Sequence, residues 1–244
     1  MICGLALAAW VALFWLHEAP TSHHMHGAHS SSMLPTGQGV VAGLDGAALF
    51  LFMWLLMTVA MMLPTILPLV DLFRRTISGR ENPHMMTAML VAGYMGVWAC
   101  FGMILSALAL IASRWMLSVS FPEMGRVLGP MLFLVAGVFQ FLPVKYRCLD
   151  NCHAPMDSEF GRRSENKPLL SSLGLGIRHG FSCVGCCGAL MLLMFAAGSA
   201  HLAWMLALTA AIVVEKNLPW GRQLAKPLGV LLLTCSALVF RLTK

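Results

Sequence analysis

Long apolar runs, separated by short polar and basic segments, dominate the hydrophobic pattern of the chain. Several approach the roughly 20 residues that a helix needs to cross the hydrocarbon core of a bilayer. The two-residue alternation of outer-membrane barrel strands is missing from these runs. We therefore predict an all-α, polytopic transmembrane helix bundle with about seven spans. The predicted spans cover residues 2–16, 47–70, 85–112, 127–144, 173–198, 201–214 and 228–240.

The predicted spans divide the chain into three parts. Residues 1–16 form a first transmembrane helix or a signal-like anchor, because the run is short and lacks a basic leader. Residues 17–46 form a His-rich extracytoplasmic loop. Residues 47–244 form a six-helix membrane domain, with a cytoplasmic loop at 145–171.

Composition and charge support a membrane protein and indicate its orientation. The chain is 59% hydrophobic and 11% charged, with a mean hydropathy of +0.79, which excludes an ordinary soluble domain. The net charge of +6 comes from basic residues that flank apolar runs, so we expect contact with the lipid bilayer and no nucleic-acid partner. Most of the 16 Lys and Arg residues fall in alternate loops, which predicts a bacterial-type inner membrane protein with a cytoplasmic N-terminus.

Cysteines supply the first chemical signal. Cys183, Cys186 and Cys187 follow the i, i+3, i+4 spacing of one helix face, and Cys148 and Cys152 are four residues apart. The predicted topology brings both groups to the cytoplasmic face, as one site for a soft ion. Copper is the favoured ion, and zinc and iron are the alternatives. Two other interpretations stay open, since cysteine also packs as a small apolar residue and since two thiols can form a disulfide.

Histidines and methionines add further candidate ligands. His179 lies beside the second cysteine group, and Met57 and Met61 continue a ladder with i+4 spacing that begins at Met53. Thioethers bind Cu(I) without deprotonation, although methionine is also a common packing residue. In the His-rich loop, imidazoles can collect metal ions, unless the loop is merely solvated. The candidate ligands there are His23, His24 and His26.

Two other features interrupt the apolar runs. Glu215 and Lys216 end the sixth predicted span, and charges at such depth are candidates for function, for a salt bridge or for snorkelling to the interface. Pro64 and Pro68 either break the second span inside the membrane or end it. No hydrolase triad or phosphate-binding glycine loop stands out, so we favour a binding protein over an enzyme.

Three motifs resemble the family of predicted metal-binding integral membrane proteins of unknown function. They are Trp-x2-Met-x2-Ala-Met-Met-x-Pro at 54–64, Phe-x-Pro-x-Lys-x2-Cys-x3-Cys-x2-Pro at 141–155 and Gly-Cys-Cys at 185–187, with Leu190, Met191, Glu215 and Lys216 beyond them. The resemblance covers about residues 50–220. It implies a polytopic helical protein that binds metal through these positions.

Together these features predict Cu(I) handling through the cytoplasmic cysteine group and the methionine ladder. The protein would transport copper, or deliver it to a membrane cuproenzyme or larger membrane complex with which it associates. One alternative is a membrane thiol–disulfide oxidoreductase. Another is a non-catalytic subunit of a membrane complex that holds a structural metal.

Overall fold

A computed structural model describes residues 2–18, 44–118, 124–153, 168–196, 202–218 and 220–242. Within these ranges the chain is helical, and no strand is present, which confirms the predicted all-α class. The α-helices are α1 (Ile2–Glu18), α2 (Leu44–Met62), α3 (Leu67–Thr76), α4 (Pro83–Ser118), α5 (Met124–Phe139), α6 (Pro143–His153), α7 (Pro168–Ala196), α8 (Leu202–Asn217) and α9 (Gly221–Leu242).

Fewer helices than predicted have the length and composition of a membrane span. Among the described residues, three qualify, within α4, α7 and α9. The number rises to five if two bent pairs, α2 with α3 and α5 with α6, each count as one span. The fourth predicted span, 127–144, instead bends by 66° where α5 gives way to α6, and the predicted loop from residue 145 is helical as far as His153. The predicted count of about seven is therefore not confirmed.

Proline breaks the second predicted span in the middle. Helix α2 ends at Met62, a short 3-10 turn follows at Pro64–Ile66, and α3 continues after a bend of 40°. Proline has no N–H and crowds the preceding turn, so the regular hydrogen-bond ladder cannot continue. The Ala60 carbonyl, four residues before Pro64, accepts instead from the Trp10 indole N–H (3.1 Å). The Met62 carbonyl accepts from the hydroxyls of Thr65 (2.8 Å) and Tyr94 (3.2 Å). These bonds fix the backbone of Met62 at the break.

Helix α7 is central, because it packs against α4, α5, α6 and α8. Its closest neighbour is α4, and glycines make that approach possible. A Cβ at Gly176 would collide with the Leu90 carbonyl, and one at Gly93 would collide with the Leu173 carbonyl. The two backbones therefore touch, which places the residues one turn further along α4 and α7 within reach of each other.

A buried ion pair fixes α8 to α6. The Lys145 ammonium contacts both carboxylate oxygens of Glu215 at 2.8 and 2.9 Å, and it also contacts the side-chain oxygen of Gln140. All three side chains are buried. Burying such a pair costs desolvation energy. Removing one partner destabilises the fold far more, because the other charge then stays buried and unpaired. It fixes the C-terminal end of α8, where the next residue is Lys216.

Candidate metal centre

The three α7 cysteines are buried together on one helix face. Their exposed fractions are 0% for Cys183, 2% for Cys186 and 1% for Cys187, in agreement with the predicted i, i+3, i+4 face. The thiols of Cys186 and Cys187 both donate to the Cys183 carbonyl, at 3.2 and 3.0 Å. The three sulfurs thus occupy one turn of α7 in the interior of the bundle.

Met62 completes a triangle of sulfur atoms with two of these cysteines. The Cys183 and Cys187 Sγ atoms are 3.9 Å apart, and they lie 4.0 and 3.7 Å from the Met62 Sδ atom. The centre of an equilateral triangle is one side divided by √3 from each corner. An ion there would lie about 2.2 Å from each sulfur, close to the roughly 2.3 Å of a zinc–thiolate bond. The triangle therefore has the dimensions of a three-coordinate sulfur site.

Two polar side chains complete the surroundings of Cys183. The Lys216 Nζ atom is 2.6 Å from the Cys183 Sγ atom and 4.0 Å from the Met62 Sδ atom. The Tyr94 hydroxyl is 3.0 Å from the same Cys183 sulfur. Lys216 is only 7% exposed, and these contacts place its ammonium among sulfur atoms. The ammonium is a counter-charge for anionic sulfur.

The other cysteines approach from α6. The Cys152 Sγ atom is 3.9 Å from the Cys186 Sγ atom. The Cys148 sulfur lies against the backbone of Gly185, where a Cβ would collide with it. Both α6 cysteines are only partly buried. The five predicted cysteines thus form a buried part on α7 and a shallower part on α6.

Three other predicted ligands lie on α2 and α7. Met57 and Met61 are buried on α2, and their role as ligands stays a prediction. His179 is 8% exposed and its ring packs at 5.8 Å from the Tyr94 ring. The three predicted loop histidines lie outside the described residues.

Met62 and Tyr94 are not among the site residues predicted from the sequence. The position of Pro64 could have pointed to Met62, because α2 ends there and leaves the Met62 side chain at the break. Within the described ranges, no group of three or more His, Cys, Asp or Glu side chains is placed to hold a metal ion. The third ligand of the candidate centre therefore has to be a thioether, which is soft and neutral.

Comparison with known families places the chain in one of them. The sequence profile of the PpoB2 copper chaperone family matches residues 51–239. The chain belongs to this copper chaperone family. The matched region contains the sulfur triangle and both α6 cysteines, whereas the His-rich segment lies before it. No curated protein and no solved structure matches the chain. Membership supports the copper part of the sequence prediction.

Proposed function

We propose that this chain is a membrane-embedded copper chaperone that holds one Cu(I) ion between Met62, Cys183 and Cys187. The observation that carries the proposal is the nearly equilateral sulfur triangle, with sides of 3.7 to 4.0 Å. Soft thiolate and thioether ligands select Cu(I) over harder ions. Family membership agrees with this cargo.

Charge balance supports a monovalent ion. Two thiolates, one Cu(I) and the ammonium of Lys216 sum to zero, so the loaded site carries no net charge into the bundle interior. A Zn(II) ion in the same place would leave one uncompensated positive charge, which is costly in a medium of low dielectric constant. Zinc also favours four ligands in structural sites, and the triangle supplies three. These two differences favour copper over zinc.

The site would lie at the cytoplasmic side of a bacterial-type inner membrane. Basic residues flank the apolar segments in the pattern of cytoplasmic loops, and the apolar lengths of α4, α7 and α9 support insertion. His23, His24 and His26 would collect copper on the opposite side. The acceptor would be a membrane cuproenzyme or a larger complex that contains one. The copper chaperone family favours this function over the thiol–disulfide oxidoreductase and the structural subunit.

Metal content tests the proposal directly. The full chain, purified in detergent micelles and loaded with Cu(I) under anaerobic reducing conditions, should hold one copper per chain, with three sulfur neighbours in X-ray absorption. Cys183→Ser combined with Cys187→Ser should abolish the copper that has three sulfur neighbours. Cys235→Ser, on α9, is the matched control and should bind as the unaltered chain does. Copper with three sulfur neighbours in the double variant would refute the site.

Met62→Leu isolates the contribution of the thioether. The exchange conserves volume and should cost less than about 1.5 kcal/mol in stability, so the fold is kept. The sulfur coordination number should fall from three to two while the two thiolates still bind. A coordination number that stays at three would exclude Met62 as a ligand.

A further inference from the structure

Cys186 and Cys152 form a second pair of thiols, nearer to the surface of the bundle than the sulfur triangle is. Cys186 shares a helical turn with Cys183 and Cys187, and its sulfur is 3.9 Å from that of Cys152 on α6. The triangle is sealed, with each of its residues at most 1% exposed, whereas Cys152 is only partly buried. The pair therefore lies between the buried site and the surface of the bundle.

The separation of the pair suits a two-coordinate ion. Linear coordination with bonds of roughly 2.3 Å needs sulfurs about 4.6 Å apart. The Cys186 and Cys152 sulfurs lie 3.9 Å apart, so they reach that separation by moving apart by less than 1 Å. Cys152 can supply this movement, because it belongs to the short helix α6 and is not enclosed on all sides. Two thiolates arranged in this way are a ligand set for Cu(I).

We infer that Cys186 and Cys152 form a transfer site through which Cu(I) leaves the triangle. This inference rests on the proposed function. Cys186 first displaces Met62 from the ion, and Cys152 then displaces Cys183 and Cys187. Two copper–thiolate bonds form as two copper–thiolate bonds and one copper–thioether bond break, and the ion stays Cu(I) throughout. The protons that leave Cys186 and Cys152 are balanced by those that Cys183 and Cys187 take up.

Charge balance makes the transfer site a transient one. A Cu(I) ion on two thiolates carries one net negative charge, which the partly exposed Cys152 tolerates better than a sealed site would. In the triangle the same ion is neutralised by the Lys216 ammonium, so it stays there until an acceptor draws it out through Cys152. The acceptor that takes the ion from Cys152 has to present soft ligands of its own, because only these compete with a thiolate pair.

Transfer kinetics test this route. The full chain, loaded with Cu(I) in detergent micelles, is mixed with the coloured Cu(I) chelator bathocuproine disulfonate, and the release of copper is followed by stopped flow. Cys152→Ser should keep one copper per chain with three sulfur neighbours, yet release it at least tenfold more slowly. Cys100→Ser, an exposed cysteine on α4, is the control and should release copper at the unaltered rate.

Other results of these release experiments would overturn either the transfer route or the proposed function. Release from Cys152→Ser at the unaltered rate overturns the route, and loss of copper from this variant overturns it as well, since Cys152 would then belong to the storage site. Cys152→Met restores a soft ligand and should release copper faster than Cys152→Ser. If it does not, the slow release reflects altered packing and the route fails. Absence of copper in the unaltered chain would instead refute the proposed function.

Discussion

Replacing Lys145 by methionine should destabilise the fold strongly, because it leaves the Glu215 carboxylate buried without its partner. The two side chains are 0% and 3% exposed, and the ammonium lies 2.8 and 2.9 Å from the two carboxylate oxygens. Lys145→Met keeps an unbranched side chain of similar length and removes the charge and its hydrogen bonds. The variant therefore removes the ion pair that attaches α8, together with the contact to Gln140.

The expected loss in the free energy of unfolding follows from the distance between the two charges and from the pKa of a carboxyl group. Two unit charges 2.8 Å apart attract by about 6 kcal/mol at an effective dielectric constant of about 20, before desolvation is subtracted. In the variant, Glu215 can take up a proton, which limits the loss of stability because a neutral carboxyl group is less costly to bury than a carboxylate. Protonating a carboxyl group of ordinary pKa, about 4.3, costs about 4 kcal/mol at pH 7. We therefore expect a loss of about 3 to 4 kcal/mol in the free energy of unfolding.

The loss should depend on pH with a definite sign. An unpaired buried carboxyl group has a folded-state pKa above its unfolded value, so the folded variant binds the proton more tightly. The penalty therefore grows as pH rises above the unfolded pKa, from about 2 kcal/mol at pH 5.5 to about 4 kcal/mol at pH 7. Adding Glu215→Met to Lys145→Met removes the buried charge and should recover most of the stability.

Unfolding titrations in mixed detergent micelles, followed by circular dichroism at both pH values, measure these differences. The matched control is Asp150→Asn, which removes one charge of the Arg222–Asp150 pair at 3.1 Å, whose side chains are 56% and 51% exposed. Water screens that pair, and its loss should cost no more than about 1 kcal/mol. A Lys145→Met penalty as small as that of the control, or one that is equal at both pH values, would refute the reasoning.

Three other changes test the surroundings of the sulfur triangle. Lys216→Met should weaken Cu(I) binding at least tenfold in a chelator competition, because two thiolates and one Cu(I) would leave a buried negative charge; unchanged affinity would contradict the charge balance. Gly176→Ala should lower the melting temperature by forcing α4 and α7 apart at Leu90, whereas Gly174→Ala, which meets open space, should not. Tyr94→Phe should cost about 1 kcal/mol in unfolding and leave one copper per chain, because its hydroxyl binds a carbonyl and a sulfur without being a ligand.

Local features of the chain could be predicted because they depend on neighbours in sequence. Apolar runs of membrane length already exclude strands, and the spacing of Cys183, Cys186 and Cys187 places them on one face of any helix. The break after Met62 is likewise local, since proline interrupts the hydrogen bonds of its own turn. The boundaries of the fourth span were not predicted, because the apolar run at 127–144 does not reveal the bend of 66° between α5 and α6.

What only the tertiary structure decided is which side chains from separate helices meet at these thiols. The ladder spacing favoured Met57 and Met61, yet Met62 reaches Cys187, which is 125 residues away along the chain. Likewise, Lys216 lies at Cys183, because the pair of Lys145 and Glu215 orients α8. Periodicity along one helix cannot specify such contacts, since they depend on how closely glycines allow two backbones to approach and on which buried charges neutralise each other.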